Sequence, residues 1–205
     1  MLGLNDHPGC RYATTLTSAF LTLAVCWGSV GTAAAELPES DRVQLWLRAD
    51  RGVEQADGRV AAWRDQSGQG NDAVAEPGSG PGWSASALNG APALVFDGKG
   101  SSLRVAHCSG LNADHALTVF CVYRYVDGFR IVQKKDASPG TGADAWFLSP
   151  GAGLGVSGSF MKSRYFAHGH TYVTSCVYDP ESGTISVFAN GDEAGTLTDV
   201  PACKP

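Results

Sequence analysis

The sequence lacks the patterns that mark helical proteins and several common enzyme classes. After residue 35, no segment repeats apolar residues at helical spacing over three turns. There is no C-x-x-C and no H-E-x-x-H, and no strand-like run carries acids at alternating positions. Acids and bases form no blocks, so the net charge of −5 creates no attraction for nucleic acids. These absences exclude a helical bundle and a nucleic-acid partner.

The first 35 residues have the composition of a secretory signal peptide. Arg11 is followed by the apolar run "LTSAFLTLAVCWGSV" and then by small residues that end in "AAA" before Glu36. We therefore predict a signal peptide at 1–35 with cleavage after Ala35, and a protein that is secreted or displayed at the cell surface. Asp6 is unusual in such a leader, and an uncleaved membrane anchor is the alternative. Cleavage would leave no stable membrane insertion.

Residues 36–205 are long enough for one domain with a single core, since removing 35 of the 205 residues leaves 170. This part contains four cysteines, Cys108, Cys121, Cys176 and Cys203. In an oxidising compartment three pairings are open. We predict a disulfide between Cys108 and Cys203 that closes a surface loop, whereas Cys121 and Cys176 fit equally well as small buried residues or as a second pair.

Short runs that alternate at period two, separated by turn residues, predict an all-β domain. The predicted strands are "VQLWLRA", "GRVAAW", "PALVFDG", "SSLRV", "ALTVFCVYRY", "RIVQKK", "TYVTSCVYD", "TISVFA" and "EAGTLT". Asp57-Gly58 and Asn190-Gly191 predict hairpin turns, and Asp127-Gly128 predicts that "ALTVFCVYRY" pairs with "RIVQKK". The segment "AEPGSGPGWSASALNGAP" is predicted to be a long loop. Two such sheets bury their inner faces by stacking, which favours a two-sheet antiparallel jelly-roll sandwich.

The segment "WRDQSGQGNDA", residues 63–73, is open to two interpretations. Asp65, Ser67 and Asn71 are residues whose side chains bond nearby backbone N–H groups, and Gly68 and Gly70 permit positive φ. These properties predict a tight turn. Alternatively, oxygens of Asp65, Asn71 and Asp72 could bind calcium, the one cofactor that the sequence suggests. The acid spacing of a helix-loop-helix calcium site is absent, so turn chemistry is the favoured interpretation.

Three further motifs favour structural roles. "GLGVSG" has G-x-G-x-x-G spacing but no helix pattern after it, so it does not indicate a dinucleotide site. His168 and His170 have no third metal ligand nearby in sequence. The acids at strand ends, Asp50, Asp97, Asp127 and Asp179, each stand alone, which favours turns over a catalytic pair.

Aromatic residues beside polar groups are the strongest ligand-binding candidates, because sugars stack on flat rings while polar neighbours bond their hydroxyl groups. Trp83 lies in the predicted long loop, Trp146 follows Asp144 in a Gly-rich region, and Tyr165 follows Arg164. We predict Trp83, Trp146, Arg164 and Tyr165 as ligand-binding residues. No catalytic or metal-binding residue is predicted.

Two stretches together resemble a known family. The run "LWLRADRGV…GRVAAWRDQSGQGNDA…PALVFDGKGSSLRV" resembles the opening of laminin G-like, concanavalin A-like jelly-roll domains. "HTYVTSCVYDPESGTISVFANGDEAGTLT" resembles their later hairpin, in which a strand ending in Tyr-Asp crosses to a strand ending in Asn-Gly. The matching segments extend, with gaps, from Val43 to Thr198.

The resemblance implies a non-catalytic recognition or adhesion module that binds carbohydrate or a surface protein. The alternative is a small polysaccharide hydrolase or lyase, or an accessory domain of one. Such domains usually continue with further strands, whereas this chain stops at "DVPACKP". The resemblance therefore also implies a domain that is incomplete at its C-terminus or closes differently, with strand edges or apolar surface less covered than usual.

Overall fold

The computed structural model describes residues 40–128, 130–135, 144–150, 153–161 and 167–203. The chain divides into two units, Met1–Glu36 and Leu37–Pro205, and every described residue lies in the second. This part of the chain is all-β, with antiparallel sheets and no α-helix. None of its helical turns has the length and apolarity needed to cross a bilayer.

The described residues form fourteen strands and two short 3₁₀ turns, Ser40–Arg42 and Ser109–Leu111. The strands are β1 Val53–Ala56, β2 Arg59–Trp63, β3 Ala73–Val74, β4 Gly82–Leu88, β5 Ala91–Val95, β6 Arg104–Val105, β7 Leu117–Arg124, β8 Val132–Lys135, β9 Asp144–Ser149, β10 Gly153–Val156, β11 Ser159–Phe160, β12 Thr171–Asp179, β13 Thr184–Ala189 and β14 Asp192–Leu197. Sheet A has the order β1-β2-β3-β6, sheet B β11-β10-β9-β8 and sheet C β14-β13-β12-β7, while β4 and β5 form a separate hairpin.

Sheets B and C enclose the main core. Strand β10 packs against β12 and β13, and side chains from both sheets form one buried cluster. Along β12 the side chains alternate between the core and the other face, as period-two patterning predicts. The cluster consists of Ala113, Trp146, Leu148, Leu154, Val156, Cys176, Tyr178, Ile185, Val187 and Val200. The expected stacking of sheets is confirmed as a sandwich-like all-β arrangement.

Sheet A begins with the predicted hairpin. Asp57 and Gly58 both have positive φ, 51° and 74°, the geometry that a type I′ turn requires. Val60 and Ala62 on β2 are buried. The N–H of Val60 donates to the carbonyl of Pro81, 2.8 Å away, which connects β2 to the start of the β4–β5 hairpin.

The predicted pairing across Asp127-Gly128 is wrong. Strand β7 pairs with β12 in sheet C, whereas β8 pairs with β9 in sheet B. Gly128 has φ of 113°, but Asp127 is not in the left-handed region, so this dipeptide does not form a two-residue type I′ hairpin. The connection instead carries the chain from one sheet to the other.

Two other secondary-structure predictions are wrong. "VQLWLRA" forms no strand, only an isolated bridge between Arg48 and Arg51, because its backbone bonds to the 63–73 loop. The predicted long loop contains β4, which pairs with β5 through Asn89 and Gly90 at φ of 51° and 81°. The Asn-Gly turn signal was present in the sequence, and the many small residues around it obscured the strand.

The predicted Cys108–Cys203 disulfide is absent, and Cys108, Cys121, Cys176 and Cys203 are all free thiols. In the register of β7 and β12, Cys121 is opposite Thr174 and Cys176 is opposite Val119. The two thiols are therefore diagonal neighbours. Diagonal Cα atoms are about 7–8 Å apart, too far for a disulfide, and the interpretation of both residues as small buried side chains applies.

Candidate ligand-binding surface

The 63–73 loop is organised by the carboxylate of Asp65. Its Oδ1 accepts the N–H groups of Trp46 and Ser67, both at 2.9 Å. Its Oδ2 accepts the Ser67 hydroxyl at 2.6 Å and the Asn71 N–H at 2.9 Å. Partial burial raises the pKa of Asp65, but these hydrogen bonds outweigh burial and the net effect is a lowered pKa.

The same loop anchors the preceding segment of the chain. The side-chain amide of Asn71 donates to the carbonyl of Gln44 at 2.6 Å, and the Gln66 N–H donates to the carbonyl of Trp46 at 2.8 Å. Gly68 and Gly70 have φ of 88° and 74°. The turn interpretation of this loop is confirmed, and its structural role is to position the residues around Trp46.

The carboxylate oxygens of this loop already form hydrogen bonds and an ion pair within the protein. Asp72 accepts the Asp65 N–H at 2.8 Å through Oδ1 and pairs with Arg64 at 2.7 Å through Oδ2. Arg64, which also pairs with Glu54, is the main cause of the lowered pKa of Asp72. Within the described part of the chain, no group of three or more His, Cys, Asp or Glu side chains is placed to hold a metal ion.

Two tryptophans converge on the segment that this loop anchors. The indole N–H of Trp63 donates to the carbonyl of Arg48 at 2.7 Å, and that of Trp83 donates to the carbonyl of Ala49 at 2.8 Å. Trp63 is at the end of β2, and Trp83 lies on β4, opposite Leu94. Two separate β elements therefore hold their indoles against consecutive peptide groups.

Arg48 and Asp50 supply the polar side chains of this region. The Arg48 guanidinium binds both carboxylate oxygens of Asp50, at 3.0 and 2.7 Å, and lies 5.3 Å from the centre of the Trp46 ring. The hydrogen bond from Arg48 is the main cause of the lowered pKa of Asp50. We call Trp46, Arg48, Asp50, Trp63 and Trp83 the tryptophan platform.

The tryptophan platform combines accessible ring surface with a fixed ion pair. Trp83 is 36% exposed, and the Asp50 side chain is 50% exposed. An aromatic ring can pack against the C–H face of a sugar, and an oriented guanidinium and carboxylate can bond its hydroxyl groups. Because both indole N–H groups are already bonded to backbone, the rings are held in place before any ligand arrives, which lowers the entropic cost of binding.

Of the predicted ligand-binding residues, Trp83 and Trp146 lie in the described part of the chain, and they are not in the same place. Trp83 belongs to the tryptophan platform, but Trp146 is only 6% exposed. Its ring lies in the core, and its indole N–H donates to the carbonyl of Leu111 at 2.7 Å, so it offers no face to a ligand. This burial corrects the prediction for Trp146. Arg164 and Tyr165 lie outside the described residues.

Three of the four acids predicted at strand ends bond groups of their own turns. Besides the Arg48–Asp50 pair, Asp97 accepts the N–H groups of Lys99, Gly100 and Ser101 and the Ser101 hydroxyl. Asp127 accepts the Gly128 N–H, and Asp179 accepts the Glu181 N–H and the Ser182 hydroxyl. The backbone bond from Lys99 is the main cause of a strongly lowered pKa at Asp97. The turn interpretation is confirmed for Asp97, Asp127 and Asp179, whereas Asp50 pairs with Arg48.

His168 has partners of its own. Its Nδ1 lies 2.6 Å from the carbonyl oxygen of Val126, and its ring packs on Tyr125 with 4.6 Å between ring centres. His168 and His170 are both exposed at the entry to β12, as the sequence predicts.

Sequence reasoning missed Trp46, Trp63, Arg48 and Asp50 as site residues. One signal was available, because Trp46 and Arg48 are two residues apart and point the same way in an extended segment. The contributions of Trp63 and Trp83 depend on folding, since they reach this segment from positions 15 and 34 residues away.

No protein-family model matches the chain, and no curated protein or solved structure is significantly similar to it.

Proposed function

We propose that this protein is a non-catalytic recognition module that binds carbohydrate at the tryptophan platform. The observation that carries the proposal is the pair of indoles, Trp63 and Trp83, fixed to adjacent carbonyls beside the exposed Arg48–Asp50 pair. Flat rings beside oriented polar groups match the amphipathic surface of a sugar ring.

The proposed architecture is a jelly-roll sandwich of the laminin G-like, concanavalin A-like type. Two four-stranded antiparallel sheets around one core support it. So does the hairpin in which β12 ends at Tyr178-Asp179 and β13 is followed by Asn190-Gly191. With a leader at residues 1–35, such a module would act outside the cell, on a soluble or surface-bound glycan. This functional assignment rests on the site, since one fold supports many activities.

The hydrogen bonding of the acids favours binding over hydrolysis. A glycosidase needs two carboxyl groups about 5–10 Å apart that face one cleft. Asp65, Asp97 and Asp179 instead satisfy the backbone and hydroxyl groups of their own loops. These bonds give each of the three carboxylates a structural role, and Glu54 and Asp72 are both bound by Arg64.

Glycan-array screening of the full chain, followed by calorimetric titration of the strongest ligand, tests this function. Substituting Trp83→Ala is expected to weaken binding about 5- to 30-fold, because loss of one stacking ring removes roughly 1–2 kcal/mol. Phe160→Ala is the matched control, since Phe160 is also an exposed aromatic, 42% accessible, but lies on β11 in sheet B. It should bind like the wild type.

Two results would contradict the proposal. One is equal glycan affinity of Trp83→Ala and the wild type; the other is release of new reducing ends from the bound polysaccharide, which would indicate an enzyme.

A further inference from the structure

Strand β7 is an edge strand with an open side. In sheet C it pairs with β12, and among the described residues no strand pairs with its other side. Its eight residues stay in continuous register with β12, without a bulge. An edge of this kind presents a row of unpaired N–H and C=O groups to any incoming strand.

The other five edges of sheets A, B and C carry features that discourage pairing. Strand β14 contains Asp192 and Glu193 and has a register shift against β13. Strand β8 contains Lys134 and Lys135, and β1 contains Glu54, each with a register shift. Strands β6 and β11 are two residues long. Charges, bulges and short length are the usual means of protecting an edge.

Strand β7 is long and has no bulge, and its charged residue, Arg124, is at its end. Between Leu117 and Tyr123 it contains no charged residue, proline or glycine. On its outer face, Phe120 is 77% exposed and Val122 is 57% exposed. Across the ladder, Phe120 is opposite the small polar Ser175, so no large side chain of β12 covers it directly. Among the described edges of sheets A, B and C, the one long and regular edge is therefore also the most apolar.

We propose that β7 pairs with β7 of a second copy of this chain, antiparallel across a twofold axis near the middle of the strand. The midpoint of Leu117–Arg124 lies between Phe120 and Cys121, so the axis brings Phe120 of each copy beside Phe120 or Val122 of the other. The paired edges join the two copies of sheet C into one eight-stranded sheet and cover the most exposed aromatic residue. This proposal is independent of the tryptophan platform.

Charges at the two ends of β7 favour a second copy of this chain as the partner and favour antiparallel pairing. Asp114 precedes β7, and Arg124 ends it, and both are exposed. Antiparallel pairing places the Arg124 end of each copy beside the Asp114 end of the other, whereas parallel pairing would place like charges together. An identical strand also matches β7 in length and in its uncharged run from Leu117 to Tyr123. Isologous pairs of this kind are the commonest protein assembly.

Sedimentation equilibrium of the full chain over micromolar concentrations tests the proposal, and a dimer is expected. Phe120→Lys places two lysines beside the axis and should raise the dissociation constant at least about 30-fold, as loss of an interface hot spot does. Because Phe120 is so exposed, the melting temperature of the monomer should not fall. Thr118→Lys, on the same face and edge, is a second variant with the same expectation.

Val173→Lys is the matched control. Val173 is 50% exposed on the same face of sheet C, but β12 pairs with neighbours on both sides. This variant should remain dimeric. Hydrogen exchange gives a second measurement, since β7 amides should gain protection as protein concentration rises.

Three results would overturn the proposal: a wild-type chain that is monomeric at every concentration, a Phe120→Lys variant that remains as dimeric as the wild type, or dissociation of both Phe120→Lys and Val173→Lys. The last would indicate packing between sheet faces and not between edges.

Discussion

Asp65 shows how one side chain organises a loop. Its two carboxylate oxygens accept four hydrogen bonds, which come from Trp46, Ser67 and Asn71. The bond to Trp46 links residues 19 positions apart and fixes the start of the tryptophan platform. A residue that the sequence marks as a turn former is thus also the support of the candidate site.

The lowered pKa of Asp65 gives a prediction about acid stability. Since the folded pKa is below the unfolded value of about 3.9, the carboxylate stabilises the fold fully above that value. This contribution is lost as the pH falls through the folded pKa. Asp65→Asn should therefore cost roughly 1 kcal/mol at pH 7, where a charged acceptor is replaced by a neutral one.

Urea denaturation from pH 7 to pH 2 provides the measurement. The stability difference between the wild type and Asp65→Asn should shrink as the pH falls below about 4. Asp41→Asn is the control, because Asp41 is exposed in the first 3₁₀ turn, and it should match the wild type throughout. A difference for Asp65→Asn that is constant over the whole range would contradict the assigned charge effect.

At the scale of single elements, β10 shows that a glycine can be required by packing. Gly155 is opposite Phe147 on β9 and Phe160 on β11. A Cβ at this position would lie 2.3 Å from the Phe147 ring. The guanidinium of Arg130 lies 3.5 Å from the centre of that ring on β9, so the ring has little room to move. Gly155 of "GLGVSG" therefore reflects close packing, whereas Gly158, with φ of 82° and no atom within 4 Å of its Cβ position, reflects turn geometry.

Gly155→Ala should destabilise the fold by about 1–3 kcal/mol, the usual cost of overpacking. Gly100→Ala is the matched control, because no atom lies within 4 Å of the position that its Cβ would take and its φ is not in the left-handed region. The control should change stability by less than about 0.5 kcal/mol. Thermal denaturation of both variants measures this difference. Equal melting temperatures for the two variants would contradict the close packing of Gly155 against Phe147.

Asx-Gly dipeptides predict turn geometry, but they do not determine which strands pair. Asp57-Gly58, Asn89-Gly90 and Asn190-Gly191 all adopt positive φ and connect adjacent antiparallel strands. Asp127-Gly128 has a similar composition but connects two different sheets. A dipeptide can favour a turn geometry, but the partners of the flanking strands depend on which apolar faces meet in the core.

For the molecule as a whole, the four free thiols give a further prediction. Burial raises the pKa of Cys121 to about 11 and that of Cys176 to about 12. At pH 8 both should react with iodoacetamide far more slowly in the native protein than in denaturant, because the thiolate is the reactive form. Cys108 and Cys203 lie in loops and not in the β7–β12 ladder, and they should react faster.

Peptide mapping after alkylation without reductant measures how fast each thiol reacts and whether any disulfide is present. Cys108, Cys121, Cys176 and Cys203 should all be recovered as modified thiols from the denatured protein. A linked peptide that contains Cys108 and Cys203 would contradict the structure, and equally fast native labelling at Cys176 would contradict its burial.

The amino-acid order alone was sufficient for the all-β class, most strands of sheet C and the turn at residues 63–73, because alternation and turn chemistry involve residues close together in the chain. It could not show that Trp146 is buried while Trp83 is accessible. Nor could it show that β8 belongs to sheet B and does not pair with β7. It also could not show that "VQLWLRA" bonds to a loop and not to a strand. Those outcomes depend on contacts between residues that are distant in sequence. Such contacts form, and contribute to stability, only when the sheets pack around a common core.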